Sequence, residues 1–229
     1  MRGIDILASF ELEINKIDES VDKPLTDDSL YWLNQAVVKF VKDRFNGNAP
    51  KRTSYEQNEK RTRDLVKLLV NTTIAPNGEP AEHVNYTEYD YNYPVDMMFV
   101  LNEDVVISDM EDEHQMDTCV FECTADSFMY RINNKLTDFH YRFHRARPLR
   151  IRTNDGFKLL TDKNYKINSY SLGYLKVPTE ITSADPTTNY TDFADHIWLE
   201  IIKLAAQMYI ENQSDPRYRT LTNEVLTQE

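Results

Sequence analysis

Apolar residues recur every three or four positions at the start of the chain, at Ile4, Leu7, Phe10, Ile14 and Ile17. That spacing predicts an amphipathic helix over residues 2–20. Pro24 ends the segment, and Thr26–Ser29 ("TDDS") supplies cap-type residues and negative charge for a second helix. Its apolar face is Leu30, Leu33, Val37, Phe40 or Val41, and Phe45, and "NGN" at 46–48 stops it. A third helix is expected to open at Ser54, with Gln57 completing a capping box, and to carry Leu65, Val66, Leu68 and Leu69 before Asn71.

The period then changes from about 3.6 to two. Asn77-Gly78 is a turn signal, and Tyr89, Tyr91 and Tyr93 alternate with polar residues as one face of a strand does. Further strand-like runs are 98–101, 104–108, 119–123, 149–153 and 166–178, with a helix expected near 124–136. From residue 192 the helical period returns: Phe193, Ile197, Ile201 or Ile202, Leu204 or Ala205, and Met208 or Tyr209. Residues 212–229 are polar and read as extended or partly helical. The expected fold is α+β: a bundle of three N-terminal helices and a long C-terminal helix, with a small antiparallel sheet region in the middle. The expected divisions are 1–73, 74–186 and 187–229, the last a bundle helix and docking tail.

Composition sharpens this picture in a few places. A chain of 229 residues with 41% hydrophobic and 11% aromatic content is long and apolar enough to fold. The N-terminus lacks the basic-then-apolar pattern of a signal peptide, and no run approaches the roughly 18 apolar residues of a membrane span. Cys119 and Cys123 fit a reducing compartment, so an intracellularly made, soluble protein without membrane partners is expected. Without a secretion signal, the sequons at Asn71, Asn85, Asn189 and Asn212 read as chance.

Candidate chemistry is sparse. The five glycines form no phosphate-cradling pattern, and no nucleophile elbow occurs. The acidic run 109–123 gathers Asp109, Glu111, Asp112, Glu113, His114, Asp117, Cys119 and Cys123. It lacks the second ligand pair of a structural zinc site and the glycine of an EF-hand, so an acidic loop is the better reading. No cofactor, metal or catalytic residue is assigned. A metal-dependent or nucleic-acid-processing enzyme stands as the alternative function.

Charge is unevenly placed. The net charge is −12; no Lys or Arg occurs from Leu68 to Tyr130, and fourteen acids fall between Glu79 and Asp126. A basic block follows, ending in "FHYRFHRARPLRIR" at 139–152. Arginines interleaved with aromatics resemble a nucleic-acid groove, but the acidic flank repels phosphate. Arg142, Arg145, Arg147, Arg150 and Arg152 are therefore read as interface residues that meet acids on a neighbouring subunit, with phosphate contact the lesser alternative.

Several segments carry a resemblance in the same order along the chain. Residues 7–47 resemble the N-terminal helices of a virion structural family of crAss-like bacteriophages that infect gut Bacteroidales. "YNYPVDMMFVL" (91–101) resembles the Pro-x-Asp element of phage head-to-tail connectors, here Pro94 and Asp96, with Met97 and Met98 where Tyr or Leu is usual. "FHRARPLRI" (143–151) and "SLGYLKVPTEI" (171–181) are similar to a basic proline-bearing stretch and a strand end of that family. Residues 196–224 resemble the C-terminal helix and Arg-Tyr tail of adaptors. The resemblance to this head-to-tail adaptor (connector) ring family implies a non-enzymatic virion subunit in a homo-oligomeric ring of twelve copies. It implies contact with the portal protein and other tail ring or hub proteins. Genomic DNA would pass through its channel without sequence-specific binding. Arg217, Tyr218 and Arg219 in the tail join the interface candidates on the same ground. The implied location is the virion neck or tail, after assembly in the host bacterial cytoplasm.

Overall fold

A computed structural model describes residues 1–17, 24–46, 59–111, 113–142, 144–154, 156–183 and 187–212. The chain divides into two units: Met1–Leu68 with Val177–Glu229, and Leu69–Lys176. The first unit is helical, built from α1 (Gly3–Ile17), α2 (Thr26–Asn46), α3 (Glu59–Leu65) with a 3₁₀ turn at Val66–Leu68, and a long C-terminal helix (Asp195–Asn212). Ile6, Phe10 and Ile14 of α1 and Leu33, Ala36, Val37 and Phe40 of α2 are buried. So are Ile197, Trp198, Ile201, Ile202 and Ala205 of the C-terminal helix, whereas Ile4, placed on the α1 face by the 3–4 spacing, is 51% exposed and Ile6 lies in the core instead. Phe40 and Phe193 meet edge to face with centroids 6.0 Å apart, as do Phe10 and Tyr209 at 6.3 Å. The predicted start of the third helix at Ser54 and Gln57 lies outside the described residues.

One buried cation joins three segments of this unit. Arg44 of α2, 8% exposed, lies 3.1 Å from the Asp64 carboxylate of α3 and 2.6 Å from that of Glu200. Its guanidinium also sits 4.7 Å from the centre of the Phe40 ring. Asn34 fixes the chain after the β unit by a two-way bond, donating to the Ile181 carbonyl (3.0 Å) and accepting from the Ile181 N–H (2.9 Å).

The second unit corrects the expected fold. In place of a bundle with a small antiparallel sheet, the described residues contain nine strands in two sheets. They are β1 (Leu69–Ile74), β2 (Ala81–Glu82), β3 (Thr87–Asn92), β4 (Met97–Asp109), β5 (Gln115–Cys119), β6 (Phe121–Glu122), β7 (Leu149–Arg152), β8 (Gly156–Thr161) and β9 (Tyr165–Lys176). The four-stranded sheet has the order β1-β9-β4-β5 and the five-stranded one β2-β3-β8-β7-β6. Neither is wholly predictable from apolar runs: β6 pairs parallel to β7, and the runs 98–101 and 104–108 are one bulged strand, β4. The helix expected near 124–136 is only α4 (Phe128–Asn133), which makes the C-terminal helix α5.

Leu69–Ile74, assigned in part to the third helix, is strand β1. Its β-branched residues favour the pleat, and pairing with β9 leaves alternate side chains exposed. β8 lacks alternation because both its faces are covered. Phe157 and Leu159 join Tyr89, Tyr91, Val105, Ile107, Tyr170 and Leu172 in the core between the sheets. Leu160 faces a second cluster with Ile132, Phe139 and Leu149 beneath α4.

Gly156 is required at the start of β8. A Cβ there would lie 2.0 Å from the Tyr91 backbone oxygen of the paired strand β3, which no side-chain rotation relieves. Gly156→Ala is expected to lower stability by about 1–3 kcal/mol, read as a reduced midpoint in urea unfolding followed by tyrosine circular dichroism.

Candidate functional site

The structure separates the five arginines of 139–152 into two groups. Arg150, 4% exposed, points from β7 into the space between the sheets and pairs with Glu103 of β4 and, at 3.0 Å, Glu122 of β6. Tyr170 donates to the other Glu103 oxygen at 2.6 Å. Burial opposes the Arg150 charge, yet Glu103, Tyr93 and Glu122 together hold its pKa above the ordinary value. Burial first, and then the Glu103 charge, raise the Tyr170 pKa. Arg152 is exposed and shares Glu122 at 2.8 Å. Arg150 therefore ties the two sheets together, and both it and Arg152 are compensated within the chain.

Arg142, Arg145 and Arg147 instead line a groove of about 670 Å³ beside β5. The Arg142 N–H donates to the Arg145 carbonyl at 3.0 Å and the Arg145 N–H to the Arg142 carbonyl at 2.8 Å. This reciprocal pair closes a tight hairpin and sets the two side chains directly opposite each other. His144, with φ of 58°, takes the left-handed conformation within the turn. Like charges at opposed positions destabilise a hairpin. Among the described residues no carboxylate lies within ion-pair distance of Arg142 or Arg145, whereas Arg147 is 3.7 Å from Asp138.

A ladder of side chains holds this hairpin in place. Asp109 at the end of β4 accepts from the Glu113 N–H at 2.9 Å and faces His114 Nδ1 at 3.1 Å. Burial opposes its charge, but the bonds from His114 and the Glu113 N–H keep its carboxyl below the usual range. The His114 ring stacks on His144 with centroids 4.0 Å apart, and His144 Nδ1 meets the Tyr141 hydroxyl at 3.2 Å. Tyr141 in turn stacks on buried Tyr165, and its N–H donates to Asp162 at 3.0 Å. Asp109, His114, Tyr141, Asp162 and Glu103 carry the site's geometry without having been singled out as interface residues. The turn signals of the sequence are Gly, Pro and Asn, and this hairpin uses none of them.

Among the described residues no three His, Cys, Asp or Glu side chains are placed to hold an ion. Cys119 is exposed on β5, and Cys123 is buried beside Ser127 at 3.2 Å. Cys119 and His140 line the same groove, but His140 Nε2 faces the Ile132 carbonyl at 3.0 Å and Nδ1 faces Asp162 at 3.4 Å. Neither nitrogen is left to take a proton from a thiol. Arg217, Tyr218 and Arg219 lie outside the described residues.

A comparison with protein families identifies the kind of protein that carries this surface. The family model described as phage tail ring protein 3/4 matches residues 13–191, a span that takes in the whole β unit and the arginine hairpin. The chain belongs to this family of crAss-like phage ring proteins. No curated protein matches it. As a phage tail ring protein it is a structural component of the virion, assembling as a ring with other tail components. No described helix is long and apolar enough to cross a membrane.

Proposed function

We propose that this ring protein connects the portal to the tail and forms part of the DNA channel, with the Arg142–Arg145 hairpin meeting an acidic surface of the neighbouring subunit. The observation that carries the contact is the pair of opposed arginines without a carboxylate among the described residues. A rigidly held surplus of positive charge on a chain of net charge −12 suits attraction between copies. Each copy has the same surplus and the same acidic stretch, so a head-to-tail contact repeats around a closed ring. Twelve copies, matching the portal, are part of the proposal, as is docking of the segment with Arg217, Tyr218 and Arg219 onto the portal. An acidic channel wall would let DNA slide, because it offers phosphates no counter-charge.

Arg142→Glu with Arg145→Glu is expected to remove rings from negative-stain micrographs of the chain mixed with portal and tail components, while the circular dichroism of the monomer is unchanged. Intact rings from this variant would overturn the arginine assignment. Absence of the chain from purified particles by mass spectrometry, or wild-type chain that forms no ring with portal, would overturn the placement.

A further inference from the structure

The two sheets end differently. The five-stranded sheet is bounded by β2 and β6, of two residues each, whereas the four-stranded sheet is bounded by β1 with six and β5 with five. Natural edge strands are blunted by shortness, proline or charge. β1 is "LVNTTI", with none of these, and among the described residues it pairs only with β9. Among the described residues β5 pairs only with β4. Its consecutive residues Met116 to Cys119 all line the arginine groove. Successive strand residues point to opposite faces, so they share a groove only where it runs along the open edge.

We infer that β1 of one copy adds to the open edge of β5 in the next, making the four-stranded sheet continuous around the ring. This rests on the ring reading above and names the contact within it. Three observations carry it. First, the four strands alternate in direction, so β1 and β5 run oppositely. A neighbour brought head to tail in similar orientation therefore offers β1 antiparallel to β5, in the more stable pairing.

Second, the charges fall in the right place. Antiparallel pairing sets the Leu69 end of the incoming strand at Cys119 and its Ile74 end at Gln115. The stacked His114 and His144 mark the Gln115 end, where the arginine hairpin stands. The segment that follows Ile74 carries exposed Glu79 and Glu82, neither within ion-pair distance of a cation among the described residues. It reaches the end of the groove where Arg142 and Arg145 have no carboxylate among the described residues. Third, the outward-facing residues match: Leu69, Asn71 and Thr73 on β1, and Gln115, Asp117 and Cys119 on β5.

Within one copy Ile74 is level with Thr118, through Tyr170 and Val105, so the two edges are offset along the strand direction. Successive copies are then staggered, as strands are in a sheared barrel.

The exposed Cys119 makes the contact testable in the full chain. Leu69→Cys, Asn71→Cys and Thr73→Cys, made singly and assembled with tail components, are oxidised and run on non-reducing gels. At least one is expected to give a covalent ladder that disappears with Cys119→Ser, because a disulfide needs Cα atoms within about 7 Å. A charge swap gives a second reading: Glu79→Lys with Glu82→Lys weakens assembly, and adding Arg142→Glu with Arg145→Glu restores it. Rings that form without a ladder from any of the three, and without rescue by the swap, overturn the strand pairing and leave the ring reading intact. Wild-type chain that never assembles overturns both.

Discussion

Arg150→Ala is expected to destabilise the β unit by about 3–5 kcal/mol, the cost of leaving a buried carboxylate without its counter-charge. Glu103 is held between the sheets by Arg150 and Tyr170, so removing the guanidinium leaves it one neutral donor. Both tryptophans, Trp32 and Trp198, lie in the helical unit, while the β core is lined by tyrosines. Urea unfolding followed by near-ultraviolet tyrosine circular dichroism should therefore show a lowered midpoint, with tryptophan fluorescence moving less. Replacing Glu103 by methionine in the same chain should recover part of the loss, since a missing pair costs less than a broken one. An unchanged tyrosine transition in Arg150→Ala would refute the assignment of Arg150 as the tie between the sheets.

The helical unit should respond in the same way to Arg44→Met, again by about 3–5 kcal/mol. This loss has a characteristic pH dependence. Burial raises the Asp64 pKa above the ordinary carboxylate value, against the pull of Arg44. Without Arg44 it rises further, so the folded chain binds the proton more tightly than the unfolded chain. Stability then falls as pH rises through the interval between the two values and recovers as pH falls. The gap between variant and parent, read by tryptophan fluorescence, should be widest near neutral pH and narrow in mild acid. A gap constant between pH 7 and roughly 5 would refute the role given to Asp64.

These two arginines illustrate what sequence reasoning could reach. Arg44 lies on α2, whose apolar face is visible in the 3–4 spacing, yet nothing in that spacing marks Arg44 as buried. Arg150 shares a run of fourteen residues, 139–152, with its basic neighbours, and the run alone does not distinguish them. The pleat divides that run: Arg150 turns inward on β7, and Arg142 and Arg145 stand on a separate hairpin. A charge run is a one-dimensional property, whereas compensation depends on which carboxylate the fold brings near. The β unit exceeds the small sheet expected from apolar runs for a related reason. Tyrosine-rich strands such as β3 and doubly covered ones such as β8 lack the clean alternation of a half-buried strand.

By itself the sequence determined the amphipathic helices α1, α2 and α5, a change of period that it placed near residue 74, the separation of acidic from basic segments, and membership of a ring family. Each is written in local spacing, in composition, or in the order of short motifs along the chain. Only the tertiary structure decided that the described residues form nine strands in two sheets, that Arg150 is a buried tie, and that Arg142 and Arg145 are opposed without a carboxylate among those residues. The first two arise from contacts between residues tens of positions apart, and no local pattern records which strand will lie beside which; the third is a local hairpin whose turn carries no glycine, proline or asparagine to announce it.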